Sequence, residues 1–258
     1  MIDAAIQAAK NAGEVIRTNF VNSVLPTVTY KDANNIVTET DTSAELAIFS
    51  VLKKEFPDHS FFSEEAGLTQ TQSEYLWVID PLDGTSNFAQ GLPFFCVSVA
   101  LFKNNQPILG VIYDPIHDEL FAAQAGKGAQ LNGTPITSSN ANTLEKSVLA
   151  LGRGSSVESK LRHTSIYTAI TPKVRSARVM GSAALAITYS ACGRLDGIII
   201  NDCKFYDCAA ANIIARESGA LVSDFAGNPL THETEGMNDI LIASPNIQQE
   251  LIQILSTY

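Results

Sequence analysis

Trp77-Val78-Ile79-Asp80-Pro81-Leu82-Asp83-Gly84-Thr85-Ser86-Asn87-Phe88 begins as an apolar strand and then changes character. Asp80 and Asp83 fall three residues apart, where Pro81 has no N–H to give a neighbouring strand. The missing donor predicts that sheet pairing stops there. Gly84 loosens the backbone, and Thr85, Ser86 and Asn87 are all good helix N-caps. A strand end with two hard oxygen donors beside free backbone N–H groups suits a phosphate held with metal ions. An Asx turn leading into a capped helix is the plainer reading of the same string.

Upstream, Ile2, Ile6, Ala9, Gly13, Ile16 and Phe20 recur at spacings of three and four and predict one face of a helix that Leu25-Pro26 ends. Residues 27–30 are β-like. A second helix is expected from Asp41-Thr42, with Thr42 and Glu45 at capping-box spacing. Ala44, Ala47, Ile48, Val51 and Leu52 form its buried stripe, and Pro57 stops it. Phe61-Phe62-Ser63 reads as a short strand running into Glu64-Glu65.

Downstream, strands at 75–80, 94–102, 109–113 and 119–124, with turns at Gly126-Lys127-Gly128 and Asn132-Gly133, predict an antiparallel sheet. A polar loop over 135–143 divides an α+β part, 1–143, from an α/β part, 144–258. The second part reads as strand 147–151, helices 159–170 and 183–192, strand 197–201 and helix 207–218. Strands 220–224 and 240–243 and helix 246–255 follow, and Gly219 is a good C′ residue. Helices and sheets in this succession should layer around a shared core.

The chain has 258 residues, 45% hydrophobic and 17% charged, which suits a packed core rather than disorder. Its net charge of −10 argues against nucleic acid and against an anionic membrane as partners. A phosphate substrate stays compatible, because bound cations invert the local field. Cys96, Cys192, Cys203 and Cys208 form no Cys-x-x-Cys pair and read as reduced, mostly buried thiols. With no leader-like N-terminus and no apolar run of about 18 residues, a soluble cytoplasmic protein is expected. His59, His117, His163 and His232 read as surface. Gly126-Lys127-Gly128 lacks the third glycine of a dinucleotide fingerprint, and Gly152-Arg153-Gly154 has no P-loop Lys-Ser/Thr. There is no Gly-x-Ser-x-Gly elbow.

Glu65, Asp80 and Asp207 each adjoin segments apolar enough to be core, and buried unpaired charge is expensive. Divalent cations would resolve the conflict. With Val37-Thr38-Glu39-Thr40-Asp41, Ser63-Glu64-Glu65, the 77–88 block, Gly181-Ser182-Ala183-Ala184, Gly193-Arg194-Leu195-Asp196-Gly197, Tyr206-Asp207-x-Ala209-Ala210 and Glu217-Ser218-Gly219-Ala220, the chain resembles the inositol monophosphatase superfamily. These are Mg²⁺-dependent, lithium-sensitive phosphomonoesterases, and the likeness runs from Lys31 to the C-terminal helix.

The resemblance implies a layered αβαβα sandwich, a homodimer, and a site with two or three Mg²⁺ ions that hydrolyses a small polyol or sugar phosphate by metal-activated water. Glu64, Asp80 and the Leu82 carbonyl would hold the first ion, and Asp80, Asp83 and Asp207 the second. Glu65 would support them through water. Asp41 and Thr85 would orient and deprotonate the attacking water. Gly84 and Thr85 N–H groups would bind the phosphoryl oxygens, Lys31 would sit near the metals, and Gly181, Ser182 and Ala183 would line the polyol pocket. Inositol-1-phosphate is the default substrate. Fructose-1,6-bisphosphate, histidinol phosphate and nucleotide 3′-phosphates are rivals, and a non-catalytic regulator that keeps the fold is the alternative of another kind. Two positions depart from the pattern: Tyr206 stands where Trp is usual, and Ile200 replaces a Glu that bonds substrate hydroxyls. The Gly152–Ser156 loop also lacks the usual Gly-Phe-Pro.

Overall fold

The computed structural model describes residues 1–22, 28–30, 36–69, 72–230 and 236–258. Lys31, His232 and the Leu25-Pro26 stop lie outside the described residues.

Helix α1 (Ile2–Asn22) buries Ala4, Ala5, Ala8, Ala9, Ala12, Gly13 and Ile16. The expected stripe is therefore centred on alanines, and Ile2, Ile6 and Phe20 pack half-buried at its margin. Strands β1 (Val28–Tyr30) and β2 (Ile36–Thr38) pair antiparallel. Helix α2 (Glu39–Glu55) starts earlier than expected. Thr38 is its cap and Asp41 its third residue, and each side chain bonds the other's neighbourhood in a capping box. Thr42, the expected cap, lies inside the helix.

The first large sheet holds β3 (Ser60–Ser63), β4 (Gly67–Thr69), β5 (Tyr75–Asp83), β6 (Cys96–Lys103), β7 (Gln106–Asp114), β8 (Glu119–Gln124), β9 (Ala129–Leu131) and β10 (Thr134–Ile136). The short helix α3 (Thr85–Ala89) separates β5 from β6. Strand order is β10-β9-β8-β7-β6-β5-β3-β4, antiparallel except for the β3–β5 pair. Asn132 and Gly133, both at positive φ, make the two-residue turn of the β9–β10 hairpin. The start of the expected 135–143 loop is thus strand β10.

The second sheet is built from β11 (Val148–Arg153), β12 (Ser176–Arg178), β13 (Gly197–Lys204), β14 (Leu221–Ser223) and β15 (Met237–Ala243), in the order β12-β11-β13-β15-β14. The three strands β12, β11 and β13 run parallel. Between them come α4 (Val157–Ile170), α5 (Ala183–Ala191), α6 (Phe205–Glu217) and finally α7 (Pro245–Leu255). Helix α6 closes as expected on Gly219 (φ +89), with Ala220 N–H donating to Ala215 C=O and Gly219 N–H to Arg216 C=O. Glu217 adds a tie the sequence did not suggest: its carboxylate accepts from the N–H groups of Gly126 and Gly128, each at 2.8 Å.

Side chains alternate along each strand and so address different layers. On β5, Trp77 and Ile79 join the core under α1 and α2, while Val78 faces the central core with α5 and α6. On β13, Ile198 and Ile200 face the central core and Ile199 the core under α4 and α7. The result is α1/α2, sheet, α5/α6, sheet, α4/α7, the expected αβαβα sandwich. The central layer is tight. A Cβ on Gly110 of β7 would lie 2.4 Å from the Ala210 carbonyl oxygen of α6. Each fully buried Leu, Ile or Phe in these layers contributes about 1.5–3 kcal/mol through removal from water.

All four cysteines are free, with Cys96, Cys203 and Cys208 buried. Among the described residues no helix is long and apolar enough to cross a membrane.

Candidate active site

The parallel register of β3 on β5 sets Ser63 against Ile79, so Glu64, just past the end of β3, comes beside Asp80 of β5. Glu64 N–H donates to Ile79 C=O at 3.1 Å and locks that exit. Pro81 does not end β5 as expected. The register with β6 jumps from Asp80↔Ser98 to Asp83↔Cys96, three steps on one strand against two on the other. The extra residue forms a β-bulge, which absorbs the missing donor and redirects the side chains. Leu82 N–H folds back to Asp80 Oδ1 at 3.0 Å.

Gly84, at φ +99, then turns the chain into α3 and serves as its N-cap; no side chain caps this helix. A Cβ there would sit 3.0 Å from Phe94 O, so both conformation and space call for glycine. Asn87, expected as a possible cap, instead reaches across the cleft. Its Nδ2 donates to Phe94 O at 2.7 Å and to Met180 O at 2.9 Å.

A cleft of about 390 Å³ opens between the carboxyl ends of the two sheets and is lined by Glu64, Asp80, Asp83 and Asp207 together with Gly84, Thr85, Gly181, Ser182 and Ala183. Asp80 is 1% exposed. Burial holds its carboxyl well above the usual range, and the Glu64, Asp83 and Asp207 charges push it the same way. Asp207, in the first turn of α6, is raised by burial and then by Asp83 and Glu64, with Lys204 opposing. Burial also raises Asp83, against hydrogen bonds from Ser182 and the α5 backbone. Among the described residues no Lys or Arg pairs with Asp80, Asp83 or Asp207.

Asp41 lies behind this cluster, fully buried. Its Oδ2 accepts from Thr38 N–H at 2.8 Å and Thr38 Oγ1 at 2.6 Å, and its Oδ1 accepts from Thr85 Oγ1 at 3.0 Å. Burial raises its pKa against those hydrogen bonds. Thr85 Oγ1 also lies 3.0 Å from Leu82 O. Asp41 therefore communicates with the cleft through Thr85. Glu65 does not line the cleft; its charge acts on Asp41 from the turn after β3. Glu45 of α2 accepts from Ser63 Oγ and, at 3.0 Å, from Ala66 N–H, and so sets the turn that carries Glu64 and Glu65. The signal for it was a carboxylate beside Ala44 on the buried side of α2.

Glu64 together with Asp80, Asp83 and Asp207, three buried acids whose carboxyl pKa values burial raises, forms a donor set that fits hard divalent cations. They are not arranged as a closed cage: among the described residues no three His, Cys, Asp or Glu side chains are placed to hold an ion. Asp83 is turned to the start of α5, where Oδ2 accepts from Ser182 Oγ and, at 2.7 Å, from Ala184 N–H.

The family model described as "Inositol monophosphatase family" matches residues 1–258. The chain belongs to the inositol monophosphatase family. It is 41% identical over 237 residues to inositol monophosphatase 2 of Solanum lycopersicum, covering 88% of each chain. It is 35% identical over 257 residues to Nus factor SuhB of Escherichia coli (strain K12), covering 98% of this chain and 94% of that one. Among solved structures, the extragenic suppressor protein suhB of Bartonella henselae superposes with a TM-score of 0.92 at 32% identity, over 98% of this chain and 97% of that one.

As a member of the inositol monophosphatase family, the chain brings Glu64, Asp80, Leu82, Asp83 and Asp207 to one cleft with Gly84, Thr85 and Gly181–Ala183. Ile200 lines the same cleft but is 2% exposed and packs against Gly152, whose Cβ would meet it at 3.2 Å. It offers no bond to a hydroxyl. The surface reading of the histidines fails for His163, which is buried in α4 with Nδ1 3.3 Å from Gly152 O, and for His59, half-buried with Nδ1 accepting from Trp77 Nε1 at 3.0 Å.

Proposed function

We propose that this protein is a phosphomonoesterase that hydrolyses the phosphate ester of a small polyol or sugar with Mg²⁺ in the cleft. The observation that carries the reading is the convergence of Glu64, Asp80, Asp83 and Asp207 beside a hydrogen-bonded Asp41–Thr85 pair. These four acids and the Leu82 carbonyl would hold two or three ions. Mg²⁺ bound there supplies Lewis acidity and offsets charge on the phosphoryl group.

The chain's own groups do the rest. The Thr85 hydroxyl, held by Asp41 Oδ1 at 3.0 Å, accepts a proton from the attacking water as it passes its own to Asp41. The raised pKa of Asp41 suits it to that base role. Gly84 and Thr85 N–H groups donate to the phosphoryl oxygens as charge grows on them. Ser182, fixed by Asp83, sets the wall against which the alcohol lies. Lithium inhibition and a homodimer belong to the same reading, and inositol-1-phosphate is its reference substrate.

The test is phosphate release with Mg²⁺ from inositol-1-phosphate, fructose-1,6-bisphosphate, histidinol phosphate and a nucleotide 3′-phosphate. Asp83→Asn and Thr85→Ala should each lower the rate by about 10²-fold or more, with circular dichroism showing the fold retained. No release from any ester by the wild type defeats the reading. The relatives named Nus factor support a second reading, a regulatory role carried by the same fold. A cellular role that survives Asp83→Asn undiminished would favour it.

A further inference from the structure

Strand β13 breaks its own alternation beside the cleft. Its register with β15 jumps from Ile200↔Ile240 to Cys203↔Asn238, three steps against two, and the extra residue is a β-bulge. Ile198, Ile200 and Cys203 all face the central layer. Unbroken alternation would put position 202 on that same apolar face. The bulge instead places Asp202 in the wall of the cleft, with its side chain 32% exposed. Asp202 sits there at φ +56, a conformation rare outside glycine that Asp adopts more readily than most side chains.

The bulge is held from three sides. Asp202 N–H donates to Asp239 Oδ1 of β15 at 3.2 Å. Arg162 of α4 grips Asp239 through both ends of its fork, Nη1 to Oδ1 at 2.7 Å and Nη2 to Oδ2 at 2.5 Å. Gly154 packs flush on it, since a Cβ there would lie 2.7 Å from Asp202 O. The carboxylate itself is less engaged than its backbone. Oδ2 accepts from Asn201 Nδ2 at 3.0 Å, and Oδ1 lies 3.6 Å from Arg162 Nη1, outside hydrogen-bond range. A carboxylate has about four lone-pair sites, so among the described residues acceptor capacity is left over for a molecule in the cleft. The chemistry of that molecule follows from the neighbours. Arg162 lies alongside and Arg153 and Lys204 line the same cleft, which disfavours an ammonium group there. Neutral O–H donors suit the carboxylate, and the side chains of Ile200, Leu151 and Val179 in the same lining accept none.

We propose that Asp202 is the residue that reads the alcohol of the substrate: its carboxylate accepts hydrogen bonds from two neighbouring hydroxyls of the polyol. Arg162 and Asp239 are positioning residues that act through the bulge. The proposal rests on the phosphatase reading for turnover and not for binding.

The experiment compares myo-inositol-1-phosphate with cyclohexyl phosphate, an ester of the same ring without hydroxyls, in the Mg²⁺-loaded full chain. Hydrogen bonds to a charged acceptor should raise kcat/KM for the inositol ester about tenfold or more for each bond. Asp202→Gly fits the backbone conformation and removes the carboxylate. It should lower the ratio of the two kcat/KM values about tenfold or more, through KM for the inositol ester. Asp202→Asn keeps one acceptor oxygen and should fall between wild type and Asp202→Gly. A merely structural role would slow both esters by one factor, so a ratio kept at its wild-type value in Asp202→Gly overturns the proposal, as does a ratio of one in the wild type. Arg162→Gln should lower the same ratio, and a ratio unmoved by it overturns the positioning role. If the wild type cleaves neither ester, the phosphatase reading has failed and calorimetry decides this one. The wild type should then bind inositol-1-phosphate about tenfold or more tighter than cyclohexyl phosphate, a difference lost in Asp202→Gly, and equal Kd values in the wild type overturn it.

Discussion

Asn87 ties helix α3, just after the Gly84 turn, to the segment at Met180, and Gly181 is the position from which that tie can be broken by a single methyl. A Cβ at 181 would lie 2.8 Å from both Nδ2 and Oδ1 of Asn87, and the residue sits at φ +84. Gly181→Ala therefore has two costs. An L side chain at that φ costs about 1–2 kcal/mol. The Asn87 amide must also move off, giving up its bonds to Phe94 O at 2.7 Å and Met180 O at 2.9 Å. At about 1 kcal/mol net for each bond, Gly181→Ala should destabilise by about 3–4 kcal/mol and Asn87→Ala by about 2 kcal/mol. In the double variant the methyl meets no amide, so only the backbone cost adds to the loss of Asn87. The total should again be about 3–4 kcal/mol, not the additive sum of about 5–6 kcal/mol. Urea unfolding followed by circular dichroism measures all four corners of the cycle. In thermal melts each kcal/mol corresponds to about 2–4 °C at this chain length. Both single variants should raise KM more than they lower kcat, because the wall at 181–183 shifts against Gly84 and Thr85. Additivity within about 0.5 kcal/mol would refute the clamp.

Gly110→Ala should destabilise by about 1–3 kcal/mol or more through overpacking, since its Cβ would meet backbone, the Ala210 carbonyl oxygen at 2.4 Å; a melt within 1 °C (about 0.3–0.5 kcal/mol) of wild type contradicts the close β7–α6 approach. Asp80 has a folded pKa raised well above its ordinary value. Its contribution to metal-free stability is thus fully present below about pH 4 and drains away as pH rises through the folded value. Metal-free wild type should fall progressively behind Asp80→Asn in Tm as pH rises, and Mg²⁺ should reverse the order; parallel Tm curves would end that account. His59 carries the opposite sign. Burial lowers its pKa, with Asp58 opposing, and its Nδ1 accepts from Trp77 Nε1. Stability from its neutral form is present above about pH 6.5 and is lost as pH falls through the folded value. NMR titration should place it below that reference, and a value at or above it refutes the assignment.

The sequence carried the layer plan because the strand and helix periods of its apolar residues differ, and each of the long strands from β5 to β8 was visible in that pattern. It misplaced the start of α2, because Thr42/Glu45 and Thr38/Asp41 have the same spacing and only the fold shows which pair closes. It read Pro81 as a stop because a missing N–H is a local fact, whereas the bulge that accommodates it depends on β6. The short strands β4 and β12 had too few residues to show a period.

By itself the sequence determined which residues are acids and where each stands relative to a strand or helix end, since capping, turn and period rules act over about four residues. Tertiary structure alone decided which of them meet. The Ser63↔Ile79 register brings Glu64 to Asp80. The start of α5 takes hold of Asp83 from 101 residues away, Asn87 spans 93 residues to Met180, and Ile200 is turned into the central layer. Such pairings depend on sheet register and helix packing, and these are settled by burial across the whole chain rather than by any local rule.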